Sequence, residues 1–247
     1  MEHKFEFPTE QVELPSKGLA YPKSSPLSKG IVEIRYMSAK EEDILTNQNY
    51  LQKGTVIDKL LQALIVDETI TYGDLLIGDK DALMVAARVL GYGKEYEITY
   101  QGEPYVVDLT TIEHKKIDLS LLEQIGNDFS FTLPATGTEI TFKLLAHSDE
   151  QKIDQEIQGM KKINKDFSGD LSTRLKYMLT SVGGSRDVKD IRKFVDNQLL
   201  AVDSRALRKY VETVQPGVDF RFYPENGPEG GVALPIGINF FWPDFRV

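Results

Sequence analysis

The stretch IVEIRYMSAKEEDIL, residues 31–45, joins a strand pattern directly to a helix pattern. In its first half the side chains alternate between two faces, one of which carries Val32 and Ile34, and this is typical of a strand with one buried face. Ser38 then stands three residues before Glu41. At that spacing a serine hydroxyl and a glutamate carboxylate can each bind a backbone N–H of the first helical turn. The stretch predicts a strand followed at once by a capped helix.

Two more helices are predicted downstream. Thr55 is expected to cap the first, whose apolar residues keep helical spacing through about Val66. Asp79 is expected to cap the second, DALMVAARVLGYG at residues 81–93, which Gly91 is expected to end. The apolar positions are Val56, Leu60, Leu61 and Leu64 in the first helix, and Leu83, Ala86, Ala87 and Leu90 in the second.

Strand patterns return in the middle of the chain. KEYEITY (94–100) and PYVVDLT (104–110) are rich in β-favouring residues and are joined around Gln101 and Gly102, which predicts a hairpin. TEITFKLLAH, residues 138–147, alternates in the same way and predicts a further strand.

The carboxyl-terminal half is predicted to be mainly helical. Ser148 and Gln151 have capping-box spacing before a helix with a narrow apolar stripe, so this helix is either largely solvated or packs on a partner. The stripe consists of Ile153, Ile157, Met160 and Ile163. Further helices are predicted in LSTRLKYMLTSV, DVKDIRKFVDNQLL and SRALRKYVETV, the last behind an Asp203 cap. VDFRFY and VALPIGINFF, separated by the turn PENGPEGG, then predict a closing β-hairpin.

Strands and helices are segregated rather than strictly alternating, which favours an α+β fold. An α/β lobe with a hairpin is predicted over residues 31–147. A mainly helical lobe, closed by the terminal hairpin and an aromatic tail, is predicted over residues 148–247. Residues 1–30 hold four prolines and two glycines that interrupt any period, so an extended arm is predicted there. The arm either covers a neighbouring protein or wraps its own domain, and the sequence leaves both open.

Composition narrows the classes of function. The formal net charge is −9, which disfavours broad nucleic-acid or anionic-membrane surfaces, since these are bound by clustered lysine and arginine. No apolar run approaches the roughly 20 residues that a bilayer span requires. The start, MEHKFEFPTEQVEL, lacks the basic and then apolar order of a signal peptide, so synthesis in the cytoplasm is expected. Because the negative charge disfavours nucleic acids and anionic membranes, protein partners are expected. The chain has no cysteine, so disulfides and thiolate sites are excluded.

No catalytic or metal site is predicted. His3, His114 and His147 are far apart in sequence, and Glu113 beside His114 lacks the second histidine of a zinc-protease motif. The carboxylates of GDKD, residues 78–81, are better explained by a helix cap than by a Mg²⁺ site. No cofactor is expected, and the chain is interpreted as a binding protein rather than an enzyme.

Motifs at both ends of the chain resemble those of a known family. LPSKGLAYP at residues 14–22, then residues 31–45, then KGTVIDKLL at residues 53–61 are similar to the amino-terminal signature of the T4-type bacteriophage baseplate protein family. DSRALRKYV, PGVDF and PIGINFFWPDF, within residues 203–245, are similar to the closing segments of the same family. The resemblance spans most of the chain, and residues 110–186 contribute least to it.

The resemblance implies a protein of baseplate hub construction without catalytic activity. Family members are described as assembly chaperones that the finished particle does not need or as hub components, and the chaperone role is favoured here. The implied partners are hub or tail proteins, in the host bacterial cytoplasm during assembly or in the virion baseplate. A hub-associated hydrolase is the remaining alternative, and the scattered histidines argue against it.

The family also carries a feature that this chain lacks. Relatives often have paired cysteines in two hairpins that resemble small zinc ribbons. The corresponding stretches here, EITYQGEPYVV and DFRFYPENGPEGGVAL, contain no cysteine, so no zinc site is carried over and the turns depend on local turn chemistry and packing.

Partner-binding residues are predicted near the two ends of the chain. The aromatic residues of the carboxyl-terminal segment either fill the core of their own domain or dock in a pocket of a partner. With the density of family-like motifs, this leads to the hypothesis that residues 14–22 and 238–245 form or adjoin a partner surface. The residues concerned are Leu14, Pro15, Leu19, Tyr21, Phe240, Phe241, Trp242 and Phe245.

Overall fold

A computed structural model describes residues 8–224 and 227–241. In the first half of the chain the elements are, in order, β1 (Thr9–Glu13), β2 (Ile31–Arg35), α1 (Ala39–Leu45), α2 (Gln48–Lys53), α3 (Val56–Leu64), α4 (Ile77–Tyr92), β3 (Glu95–Tyr100), β4 (Glu103–Asp108) and α5 (Leu119–Ile125). In the second half they are β5 (Phe129–Thr132), β6 (Glu139–Phe142), α6 (His147–Ile163), α7 (Asp170–Met178), β7 (Leu179–Val182), α8 (Val188–Asn197), α9 (Ala201–Val214), β8 (Arg221–Phe222), β9 (Val232–Ala233) and α10 (Ile238–Phe241). Short 3-10 turns occupy Pro26–Lys29, Tyr72–Asp74 and Leu109–Thr111.

The fold is α+β, as the sequence predicts. Across the described ranges the strands form small antiparallel sheets: β1 with β2, β3 with β4, β5 with β6 and β7, and β8 with β9. The helices pack around these sheets over a shared apolar core.

Three local predictions for the first half are confirmed, and a fourth, the Thr55 cap, is wrong. Ser38 and Glu41 form the predicted capping box at the start of α1. The hairpin of β3 and β4 turns at Gln101 and Gly102, both with left-handed φ. The predicted apolar face of α3 is buried, whereas Thr55 makes no side-chain cap bond there.

For residues 8–30 the structure shows the second of the two alternatives, a segment that wraps its own domain, and it contains a strand, β1, that the sequence did not predict. These residues pack on their own domain, because β1 pairs with β2 and the Leu14 N–H donates to the Gly30 carbonyl at 2.8 Å. Gly18 and Gly30 lie in the left-handed region, where their backbones approach each other more closely than a Cβ atom would allow. The glycines that interrupt the sequence pattern are therefore what lets the segment fold back.

The predicted lobe boundary at residue 147 is also corrected. Strand β6 belongs to the first predicted lobe and β7 to the second, yet they are neighbours in one sheet. Leu76 forms an isolated antiparallel bridge with Ala146, immediately before α6. The two halves share one core because this sheet forms across the expected boundary.

Several helix limits differ from the predicted ones. Helix α4 begins at Ile77 and continues to Tyr92, so Asp79 lies inside its first turn. Helix α6 begins before Ser148, and the Asp149 carboxylate rather than the predicted pair accepts the N–H of the N-cap residue, at 3.1 Å. Leu179–Val182 forms β7 instead of continuing α7.

The closing hairpin is shorter than predicted. Strands β8 and β9 contribute two residues each, and the chain then forms the short helix α10 rather than a strand. Helix α10 packs on α4, so the carboxyl-terminal segment returns to the first half of the fold.

Candidate functional site: the amino-terminal strand and its surroundings

The predicted partner-binding residues lie mainly in the core. Leu14 has no exposed area, Pro15 and Tyr21 are buried, and Leu19 is half-buried. Phe240 and Phe241 are also buried, with 0% and 1% of their area exposed. Trp242 and Phe245 lie outside the described residues. A buried side chain cannot contact a partner without local unfolding, so these buried side chains do not form the expected exposed surface.

The motif LPSKGLAYP builds a buried hydrogen-bond network with α4. The Asp79 carboxylate accepts the Ser16 N–H at 2.9 Å, the Ser16 hydroxyl at 2.7 Å and the Tyr21 hydroxyl at 2.6 Å. The Tyr21 oxygen in turn accepts the Leu76 N–H at 2.9 Å. Burial raises the pKa of Asp79 against the opposing effect of these bonds. The three donated bonds stabilise the charged carboxylate, but burial has the larger effect, so the pKa of Asp79 stays above its usual value.

Aromatic contacts fix the carboxyl-terminal segment. Phe240 packs edge-to-face on Tyr96 of β3, with ring centroids 5.1 Å apart. The Tyr96 hydroxyl donates to the Pro235 carbonyl at 2.5 Å. Phe241 packs edge-to-face on Phe240 at 5.2 Å. Of the two roles proposed for the aromatic cluster, these residues fill the core of their own domain.

A second polar cluster lies between α3, α4 and α6. Asp58 accepts the Tyr72 hydroxyl at 2.9 Å and the Lys80 amine at 3.3 Å. The His147 Nε2 lies 3.6 Å from Asp58 Oδ2, and the ring is almost wholly buried. Burial lowers the pKa of His147, with Asp58 opposing this effect, so the imidazole is neutral near pH 7.

This cluster does not have the geometry of a nucleophile and base. Among the residues described, neither ring nitrogen of His147 has a hydrogen-bond partner. A hydrolytic nucleophile would need to lie within hydrogen-bond reach of its base. The sequence does not reveal that Asp58 and His147 are neighbours, because α3 and α6 are brought together only by the fold.

An apolar groove lies between β1 and α4. Its volume is about 430 Å³. Ala82, Val85, Ala86 and Val89 of α4 form its floor, and all but the first are half-buried. Leu109, Thr110, Ile112 and His114 also line the groove.

Within residues 8–224 and 227–241, strand β1 pairs with β2 on one side and presents an open edge to this groove on the other. The Tyr36 N–H donates to the Pro8 carbonyl at 3.1 Å, and the Leu14 N–H donates to the Gly30 carbonyl at 2.8 Å. In an antiparallel pair only every second residue directs its backbone N–H and C=O groups to the partner strand. These two bonds show which residues of β1 do so. Even-numbered residues of β1 therefore face β2, and the odd-numbered ones, Thr9, Gln11 and Glu13, direct their N–H and C=O groups away from it.

Other candidate chemistries find little support in the described ranges. Within residues 8–224 and 227–241 no group of three or more His, Asp or Glu residues is arranged to hold a metal ion. The helices in these ranges are too short or too polar to cross a bilayer.

Comparison with protein-family models, with curated proteins and with solved structures gave no match to this chain. The resemblance to the baseplate family therefore rests on the sequence motifs, and the structure adds the contacts that residues 14–22 make in the fold.

Proposed function

We propose that this chain is a non-catalytic protein of baseplate hub assembly in a contractile-tailed phage, acting as a chaperone that binds hub components. The observation that supports it best is the structural role of the family-like motif at residues 14–22. Ser16 and Tyr21 in this motif bind Asp79, and its glycine permits a backbone approach that no other residue would. A motif whose residues have such specific roles is a better marker of shared ancestry than a similar string on a solvated surface.

Two further observations favour binding over catalysis. The protein is acidic, and an apolar groove opens beside an edge of β1 that has no backbone partner among the described residues. Open edges and apolar grooves are common docking features for protein segments. The buried pair of His147 and Asp58, by contrast, has no nucleophile bonded to the ring in the part of the chain that is described.

The experiment that tests this proposal is quantitative mass spectrometry of purified virions beside infected-cell lysate. Peptides of this chain in the lysate but not in virions are the result expected of a chaperone. Hub-like copy number in virions would instead favour the second candidate, a permanent baseplate subunit. Normal baseplates in phage that lack the gene would contradict both.

An activity assay tests the remaining candidate, a hub-associated hydrolase, against the non-catalytic proposal. Purified protein is incubated with peptidoglycan, and released fragments are measured beside an Asp58→Asn variant. Release that the variant abolishes would establish catalysis at the Asp58–His147 pair and overturn the non-catalytic proposal.

A further inference from the structure

We propose that the groove between β1 and α4 binds an extended segment of a partner protein, which adds as a strand to the free edge of β1. The segment is apolar at alternate positions and basic at the others. The inference deepens the proposed function, and rests on it only for the identity of the partner as a hub protein.

The first step is the direction of the backbone groups along β1. Thr9, Gln11 and Glu13 direct backbone donors and acceptors toward the groove, and none of these groups has a backbone partner outside its own sheet among the described residues. Unpaired edge groups of this kind are a template for another strand. An added strand would therefore meet a row of donors and acceptors already in register.

The floor of the groove supplies the second step. Side chains of an added strand alternate between two faces, and those on the inner face would lie over Val85, Ala86 and Val89. These residues are half-buried in the free protein. Covering them removes apolar area from water, so valine-sized side chains at alternate positions are favoured.

Negative charge around the edge of β1 is the third step, and it indicates the chemistry of the segment that would bind. Glu10 and Glu13 lie on β1, and Glu33 lies opposite Gln11 on β2. Glu13 forms an ion pair with Lys17, and Glu33 accepts the Thr9 hydroxyl, so negative charge remains in excess along the edge. A basic segment would reduce the mutual repulsion of these carboxylates. A second copy of β1 would add two more carboxylates per strand, which disfavours self-pairing.

The direct test uses a short peptide of alternating lysine and valine as the probe. Gln11→Pro removes the outward N–H of Gln11 and places a ring at the free edge, but breaks no bond to β2. Gln11→Thr is the matched control because it keeps the N–H and favours strand. We expect the probe to bind the wild type and Gln11→Thr alike and Gln11→Pro about tenfold more weakly.

A charge variant keeps the proposal testable if Gln11→Pro proves unstable. Glu13→Lys, on the same face of β1 as Gln11, should weaken binding of the basic probe by roughly threefold or more, whereas Glu123→Lys, at an exposed position of α5, should not. Both variants change the net charge equally, so a general loss of attraction would affect them alike. Equal weakening of both would overturn the proposed place of binding.

Hydrogen exchange measures the protection of each backbone amide along β1. In the free protein the Gln11 amide should exchange rapidly and the Val12 amide slowly. The probe should slow exchange at Gln11 by about tenfold or more and leave Val12 unchanged. Binding without added protection at Gln11, or with equal affinity for Gln11→Pro, would overturn strand addition.

Phage complementation separates this inference from the proposed function. If phage lacking the gene fail to form hubs and Gln11→Thr restores them but Gln11→Pro does not, both proposals are supported. Full rescue by Gln11→Pro would overturn the docking inference while the assembly role stands. Normal hubs without the gene would overturn the assembly role, and the peptide measurements would then decide the groove alone.

Discussion

The Tyr21 hydroxyl donates a 2.6 Å hydrogen bond to the Asp79 carboxylate, across 58 positions of sequence. With the two bonds from Ser16, it fastens the amino-terminal loop to the first turn of α4. This loop follows β1 directly, so the network also holds the strand edge that borders the groove.

Asp79→Ala should destabilise the fold strongly. The substitution leaves three buried donors without an acceptor and opens a small cavity, and we expect a loss of about 3–5 kcal/mol in the free energy of unfolding. Urea unfolding measures it. Asp166→Ala, at an exposed position, serves as the control and should change stability by less than about 0.5 kcal/mol. A loss under about 1 kcal/mol for Asp79→Ala would contradict the network's role.

Asp81 should make stability decrease as the pH rises. Burial raises its pKa from 3.8 to about 6, although Lys80 and Lys115 oppose the shift. The folded state then holds the proton more tightly than the unfolded state, so this group's stabilising contribution is present below pH 3.8 and is lost as the pH rises through about 6.

Asp81→Asn removes this titration. The variant should be about 1–3 kcal/mol more stable than the wild type near neutral pH, with a difference that vanishes in acid. Chemical unfolding across the pH range measures the difference, and Asp128→Asn provides an exposed comparison. A difference independent of pH would contradict the assignment.

Two glycines in helices should respond oppositely to alanine. A Cβ atom on Gly78 would lie 1.8 Å from the Pro216 carbonyl oxygen, whereas one on Gly159 would meet nothing within 4 Å. Gly78→Ala should cost about 2 kcal/mol or more, because backbone must move. Gly159→Ala should add about 0.5–1 kcal/mol by favouring helix. Thermal unfolding compares them, and the same sign for both would be inconsistent with the packing of α4 on Pro216.

Phe241→Ala should act on stability rather than selectively on partner binding. The ring is buried, and its removal should cost about 3–5 kcal/mol. Tyr223→Ala, at a side chain that is 64% exposed, is the matched aromatic control and should cost far less. Calorimetry gives both values. An unchanged melting temperature for Phe241→Ala would instead support the hypothesis that Phe241 belongs to a partner-binding surface.

Features set by near neighbours in sequence could be predicted. The capping box of Ser38 and Glu41 and the hairpin turn at Gln101 and Gly102 involve residues within a few positions of each other. The buried face of α3 follows from helical spacing alone. For such features the sequence contains both interacting partners in one short window.

Asp79 and Asp203, which the sequence predicts to be helix caps, show where this reasoning fails. Asp203 lies inside the first turn of α9, and its carboxylate accepts the N–H groups of Ala135 and Thr136 at 2.8 and 3.2 Å. Asp79 likewise binds a distant loop. An aspartate before an apolar run looks the same in sequence whether it caps its own helix or holds a remote segment, because the donors come from elsewhere in the fold.

The candidate groove could not be predicted for a related reason. Whether β1 is an edge depends on which strands lie beside it, and the prolines and glycines around it indicated no strand at all. The neighbouring positions of Asp58 and His147 are likewise set by helix packing rather than by spacing.

The packing of Phe240 and Phe241 against the first half of the fold constrains when a newly made chain can finish folding. Tyr96 and α4 are synthesised long before the rings that cover them. Until residue 241 has left the ribosome, this part of the core stays open to water and to other apolar chains. Ribosome-stalled chains that hold α10 inside the exit tunnel should therefore be more sensitive to protease than stalled chains in which an added carboxyl-terminal linker has carried α10 out of it.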